Sequence, residues 1–192
     1  MTYRAVATLM HVDVILAEDT RNAQKLLQHY GIQKPVTAYH MHNEHAKTNG
    51  LIDGMKSGTT YGLITDAGTP GISDPGYLLA KACIENHLNF ESLPGATALI
   101  PGLILSGFPN HHFSYYGFLP VKKGRQTVLN ELSTLNHTVV LYESPHKIHK
   151  TLSDLSQVLG EDTPACLARE LTKKFEDIRR GTLGDLSNDI AD

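Results

Sequence analysis

Apolar and polar positions along this chain switch between two rhythms. Val12 to Ala17 is a β-branched apolar run that stops at Glu18-Asp19, and Thr20 then caps a helix through Tyr30 that Gly31 closes. Val36 to Tyr39 predicts a short strand, followed by a helix from about Glu44 to Met55. Tyr61 to Thr65 predicts another strand, and Pro75 to Asn86 a helix with a strong apolar face. Phe90 to Leu93 reads as a further strand, ended by Pro94-Gly95. A helix of small and apolar residues follows from about Thr97 to Leu105, of the kind buried between layers. The opening residues Tyr3, Val6 and Leu9 recur at helical spacing. Such alternation argues for a parallel α/β sheet.

Around Ser106 to Pro120 the rhythm breaks. Gly107, Pro109, Gly117 and Pro120 punctuate an aromatic segment, Phe113, Tyr115, Tyr116 and Phe118. This predicts a crossing from a first α/β domain, residues 1–112, into a second, residues 113–192, whose first strand is Ser114 to Phe118. Helix Arg125 to Leu135, strand Thr138 to Tyr142, helix Pro145 to Leu159 and strands Ala165 to Arg169 and Asp177 to Thr182 complete it. Asp74-Pro75 and Ser144-Pro145 both read as a cap followed by a first helical residue. Thr182-Leu-Gly-Asp185 resembles one more helix start.

Composition narrows the class without naming a chemistry. With 192 residues, 41% hydrophobic and 19% charged, the chain is of ordinary globular make-up and long enough for a real core. No apolar run reaches the length of a membrane span, and the start lacks the basic-then-apolar layout of a signal peptide. Cys83 and Cys166 stand alone, which fits a reduced, cytoplasmic setting. The formal net charge of −3 gives no overall pull on nucleic acid. The positive charge is clustered, however, in Lys122, Lys123 and Arg125 and again in Lys173, Lys174, Arg179 and Arg180. Local clusters contact phosphates even on a mildly acidic protein, although solvated surface charge is the simpler reading.

The densest chemistry lies in residues 64–76, Ile-Thr-Asp-Ala-Gly-Thr-Pro-Gly-Ile-Ser-Asp-Pro-Gly. Ligands bind at the carboxyl edge of a parallel sheet, and glycines there let backbone groups come close to them. Asp66 adds a carboxylate at that edge. Other charged groups also follow expected strands: Glu18-Asp19 with Arg21, Glu143 with His146, and Arg169-Glu170. Together they suggest a polar cleft between two α/β domains. Each alone also reads as a helix cap or a surface ion pair. His40, His42 and His45 lack metal-ligand spacing, so no metal site is expected. No G-x-S-x-G elbow or phosphate-binding P-loop is present, and no serine is tied by spacing to a histidine.

Seven motifs in fixed order go further than periodicity. They are Ala17-Glu-Asp-Thr-Arg21, Tyr39-His-Met-His-Asn-Glu44, the 65–76 loop, Leu93-Pro-Gly-Ala-Thr-Ala98, Gly117-Phe-Leu-Pro120, Tyr142-Glu-Ser-Pro-His146 and Arg169-Glu-Leu-Thr-Lys-Lys-Phe-Glu176, closed by Arg180-Gly181. This set resembles the tetrapyrrole-methylase-like (class III) methyltransferases, in particular their branch acting on small-subunit ribosomal RNA. The resemblance implies two α/β domains with S-adenosylmethionine in the cleft between them, and a homodimer. It also implies methylation of a cytidine ribose 2′-hydroxyl in small-subunit rRNA, within naked RNA or the assembled subunit.

By position in those motifs, Asp66, Ala67, Gly68, Thr69 and Pro70 would lie against the cofactor, with Thr97, Ala98 and Tyr142. Glu143, Glu170 and His146 become candidates to orient or deprotonate the hydroxyl, since a ribose hydroxyl is a poor acid and needs a base. Arg21, Arg169 and Lys173 would hold phosphates, and the Lys122, Lys123, Arg125 loop would position RNA. Such families open with a strand and a Pro-x-Gly-Asn-type loop and extend further at the C-terminus; neither is seen here, so a fragment is expected. The alternatives are a methyltransferase of the same fold acting on a tetrapyrrole, and an inactive fragment that only binds RNA or a partner.

Overall fold

A computed structural model describes residues 1–189 and separates into two compact units, Met1–Thr97 and a second beginning at Ala98. The first holds α1 (Tyr3–His11), β1 (Val14–Ala17), α2 (Thr20–His29), β2 (Val36–Ala38), α3 (Glu44–Lys56), β3 (Tyr61–Ile64) and α4 (Tyr77–Glu85). Its three strands are all parallel in the order β2-β1-β3, with Ile15 beside Val36 and Ala17 beside Ile64. Central β1 is covered on both faces, as a parallel strand flanked by crossover helices must be. Successive side chains point to opposite faces. Ile15 therefore packs with Leu9, Val12, Leu27 and Ile32, while its neighbour Leu16 packs with Tyr39, Leu51, Leu79 and Cys83. Both residues are wholly buried, each contributing about 2–3 kcal/mol by removal from water. Gly62 permits a close approach beside β1: a Cβ there would stand 2.8 Å from Leu9 Cδ2.

Phe90 to Leu93 does not form a strand. A strand needs a partner edge for its N–H and C=O groups. No strand pairs with this segment among the described residues, and Phe90 remains 51% exposed. Helix α4 also starts later than Asp74-Pro75 suggests, because the Pro75 carbonyl accepts from Gly71 N–H (3.2 Å) and Gly76 turns with φ 141°. Those residues close the loop and do not open the helix.

The second unit holds α5 (Leu99–Ser106), β4 (Phe113–Phe118), α6 (Arg125–Leu132), β5 (Thr138–Tyr142), α7 (Ile148–Leu159), β6 (Pro164–Arg169), β7 (Asp177–Thr182) and α8 (Leu183–Asp189). Strands β4 and β5 pair in parallel, β6 and β7 antiparallel. Leu129, Leu132, Leu152, Leu155, Leu183 and Leu186 make the core. Helix α8 begins where Thr182-Leu-Gly-Asp185 indicates, in a reciprocal box: Thr182 N–H donates to Asp185 and Asp185 N–H to the Thr182 hydroxyl. Helix α7 starts at Ile148 and not at Pro145, since residues 145–147 form a turn on the Ser144 carbonyl.

Helix α5 is less enclosed than its composition suggests. Leu103 is buried, but Ile100 and Ile104 are 43% and 62% exposed. The helix packs against β6 and β7, and Arg180 donates to the carbonyl of Leu105 at its end. The sequence boundary after residue 112 and this division after Thr97 thus differ by the segment that carries α5. Residues 190–192, the last of the expected second domain, lie outside the described residues. Among the described residues no helix is long and apolar enough to cross a membrane.

Candidate active site

In the first unit, three chain segments leave the carboxyl edge of the parallel sheet together. After β1 comes Glu18-Asp19, after β2 the histidine turn, and after β3 the loop from Thr65 to Gly76. Gly68 and Gly71 have φ 83° and 84°, the left-handed region that favours glycine. At Gly76 a Cβ would lie 3.0 Å from Leu63 Cδ2 and 3.2 Å from Gly71 N, so close approach as well as φ demands glycine. The loop is pinned by Ile72 N–H to Thr69 O (3.3 Å) and by the Thr69 hydroxyl to Ala96 O (3.2 Å). That second bond ties it to the segment carrying Thr97. Asp66, Ala67 and Gly68 stay exposed, and nothing stands within 4 Å of where a Gly68 Cβ would be.

The carboxylates at this edge are several and close enough to feel one another. Asn22 donates to Asp66 Oδ2 at 2.9 Å. Burial, then the charge of Glu18, pushes the Asp74 carboxyl above its ordinary value; a hydrogen bond from Thr65 opposes this and Asp66 adds to it. Asp19 is held down at about 2 by the Arg21 side chain and backbone N–H. Arg21 therefore pairs with Asp19 at 2.7 Å, yet its side chain remains 86% exposed. Sequence reasoning missed Asn22 and gave Asp74 only a capping role. The signal available was a second acid within the same glycine loop.

In the second unit the corresponding edge is the end of β4 and β5. Tyr116 is an extra residue: Tyr115 pairs with Val140 but Gly117 with Leu141, a bulge that Gly117 supports with φ 61°. The bulge restores register so that Phe118 lies opposite Tyr142, their rings 5.7 Å apart, with Tyr115 edge-on to Tyr142 at 5.2 Å. Glu143 follows directly, and both its oxygens are engaged. Ser144 N–H donates to Oε1 (2.7 Å) and the Thr151 hydroxyl to Oε2 (2.6 Å). Thr151, 3% exposed, in turn accepts from Arg125 at 2.8 Å. Arg125 completes the chain by donating to Asp154 (2.7 Å) and to the Pro120 carbonyl (3.1 Å).

Arg125 is thus an internal strut and not a free phosphate holder. Its side chain is only 11% exposed, because α6 begins there and turns it onto α7. Burial works to raise the Asp154 carboxyl, but hydrogen bonds and charge from Arg125 and Lys150 together hold it below its ordinary value. Lys122 and Lys123 are exposed in the preceding loop, and His146 is exposed beyond Pro145. Arg169 is exposed and forms no ion pair with Glu143; Glu170 pairs with Lys173 at 3.1 Å. Thr151 and Asp154 escaped the sequence reading, although a threonine beside Leu152 on the apolar face of α7 is such a signal.

A serine–histidine pair also exists that sequence spacing did not reveal. Ser114 Oγ lies 2.7 Å from His137 Nε2, at the amino ends of β4 and β5, away from Tyr142 and Glu143. His137 stacks on His112 at 4.2 Å, and no carboxylate orients it among the described residues, so no hydrolytic triad results. His40 is held in a local turn by Asn43, and no cluster of metal-ligating side chains occurs among the described residues.

The first unit is a parallel α/β unit with a glycine loop at its carboxyl edge, followed in the chain by a second α/β unit, an architecture that many families share. Residues 1–187 match the model of the tetrapyrrole (corrin/porphyrin) methylases, and the chain belongs to that family. It is 48% identical over 184 residues to ribosomal RNA small subunit methyltransferase I of Synechocystis sp., covering 95% of this chain and 66% of that relative. The protein of the same name from Haemophilus influenzae is 46% identical over 187 residues, covering 97% and 66%. The chain therefore spans about two thirds of the length of these curated relatives. Among solved structures, a diphthine synthase superposes with TM-score 0.72 at 14% identity, over 98% of this chain and 78% of that one. A uroporphyrin-III C-methyltransferase from Thermus thermophilus, complexed with S-adenosyl homocysteine, gives 0.63 at 15% identity over 100% and 86%.

Proposed function

We propose that this chain is the methyl-transfer body of an enzyme that moves the methyl group of S-adenosylmethionine to a cytidine ribose 2′-hydroxyl of small-subunit rRNA. The observation that carries this reading is the glycine loop of residues 66–70 at the carboxyl edge of a parallel sheet, which carries Asp66 and has Glu18 and Asp74 nearby. The residues suit the donor. Carboxylates accept from ribose hydroxyls and an ammonium group and favour a sulfonium, and the open space at Gly68 leaves the backbone accessible. Ala67, Thr69 and Thr97 are the further proposed contacts in this unit; Ala98 and Tyr142 are proposed by their place in the motifs alone. Bound there, the donor supplies an activated methyl that needs no acid to leave.

The chain's own task is to position the hydroxyl and take its proton. Glu143, with both oxygens already accepting, serves best as a rigid orienting group. His146, exposed and adjacent, and Glu170 are the proposed proton acceptors. Arg21, Lys122, Lys123, Arg169 and Lys173 are proposed to meet phosphates, where exposed cations bind by counterion release. Arg125 holds the loop that carries Lys122 and Lys123 through the Pro120 carbonyl. The names of the relatives favour RNA over a tetrapyrrole as acceptor. Such an enzyme would act in the cytoplasm, as a homodimer, on rRNA or the assembled small subunit.

The test is transfer of labelled methyl from S-adenosylmethionine. Label appearing on small-subunit rRNA, with none on uroporphyrinogen, is the expected result. Label on the tetrapyrrole alone would overturn the RNA reading, and donor bound without transfer to either would favour a binding body.

A further inference from the structure

The β6–β7 hairpin is closed by residues 170–176, beyond its last pair Arg169 and Asp177. Its tip carries Phe175, which is 71% exposed. A single exposed aromatic is ordinary, but this one has a built setting. Glu170 and Thr172 adopt left-handed φ of 52° and 65°, conformations that cost energy in residues with a Cβ. The turn is locked by Lys173 N–H to Glu170 O (2.9 Å), Glu176 N–H to Lys173 O (3.2 Å) and Thr172 N–H to the Glu176 carboxylate (2.6 Å). Lys174 Nζ sits 5.5 Å from the Phe175 ring centroid. The acids of the turn are occupied, Glu170 by Lys173 and Glu176 by backbone, while Lys174 has no carboxylate partner among the described residues.

An aromatic ring in water, on a turn held by three hydrogen bonds and beside one lysine, Lys174, with no carboxylate partner among the described residues, matches what recognises unpaired nucleotides. Bases stack on the ring while the cations meet the backbone. A stiff turn also loses little freedom on binding. We infer that Phe175 is a stacking platform for an unpaired base of RNA, with Lys173 and Lys174 on the flanking phosphates. This rests on the RNA reading above and adds the residue by which a splayed base is held.

The chain has no tryptophan, so Phe175→Trp introduces a single reporter at the tip. Titration with a short unstructured oligoribonucleotide, followed by both emission and anisotropy of labelled RNA, tests the inference. Saturable quenching of the Trp emission is expected, in step with the anisotropy. Phe175→Ala should weaken binding about five- to 150-fold with an unchanged salt slope, the range set by stacking of one base. Lys173→Gln with Lys174→Gln should instead flatten that slope. Binding with steady Trp emission, or an unaffected Phe175→Ala, would overturn the platform and leave the RNA reading standing. Emission that changes with protein concentration without RNA would show a second copy covering Phe175 and also overturn it. No binding of RNA by the unaltered chain would overturn both.

Discussion

At the residue scale, Asp74 and Thr151 show how the two units treat a polar group inside a site. Asp74 is held above its ordinary carboxyl value, chiefly by burial and then by Glu18. Across the window from that ordinary value, 3.8, up to its raised one, the folded chain binds more protons than the unfolded chain. Its contribution to stability is therefore present at lower pH and declines as pH rises through the window. Asp74→Asn should gain stability relative to the parent as pH increases there, measured by denaturant titration at several pH values. A difference that stays flat, or that shrinks with pH, would contradict the burial of this carboxyl. Asp19, held at about 2 by Arg21, behaves oppositely and weakens the fold only as pH falls toward that value.

Thr151 is the joint between Glu143 and Arg125. Replacing it with valine keeps the shape but leaves two half-buried charged groups without their shared hydroxyl. We expect Thr151→Val to cost about 1–3 kcal/mol of stability in urea unfolding. The methylation rate should fall with little change in RNA affinity if, as proposed, Glu143 orients the hydroxyl and the lysines meet the RNA. An unaltered midpoint and rate would show that Glu143 is held by Ser144 alone.

At the scale of elements, most of the fold was legible because the signals were strong and local. β1 is a continuous β-branched and apolar run because both its faces are covered, and α8 announces itself by a reciprocal box four residues long. The misreadings have a common cause. Phe90–Leu93 has the composition of a strand, but composition cannot supply the neighbouring edge on which pairing depends. Asp74-Pro75 and Ser144-Pro145 have the local chemistry of helix starts, yet Gly71 and Lys147 draw the nearby carbonyls into turns first. Arg125 reads as part of a basic loop until α7 places Asp154 and Thr151 beside it. The Tyr116 bulge, which sets Phe118 opposite Tyr142, left only Gly117 as its trace in the sequence.

At the scale of the whole molecule, family membership and the site draw on different information. The motif order was legible across the chain, whereas the partners of each motif residue were not. Of the last basic cluster, Arg180 holds the end of α5 and Arg179 pairs with Asp177, leaving Lys173 and Lys174 at the exposed tip. On the proposed function, the loop after β3 receives the methyl donor. Backbone hydrogen exchange with and without S-adenosyl homocysteine tests it most directly. Slower exchange at Ala67, Gly68, Thr69 and Gly71 is expected on binding, with α8 unchanged. Ligand binding that leaves those four amides exchanging at their free rate would contradict it.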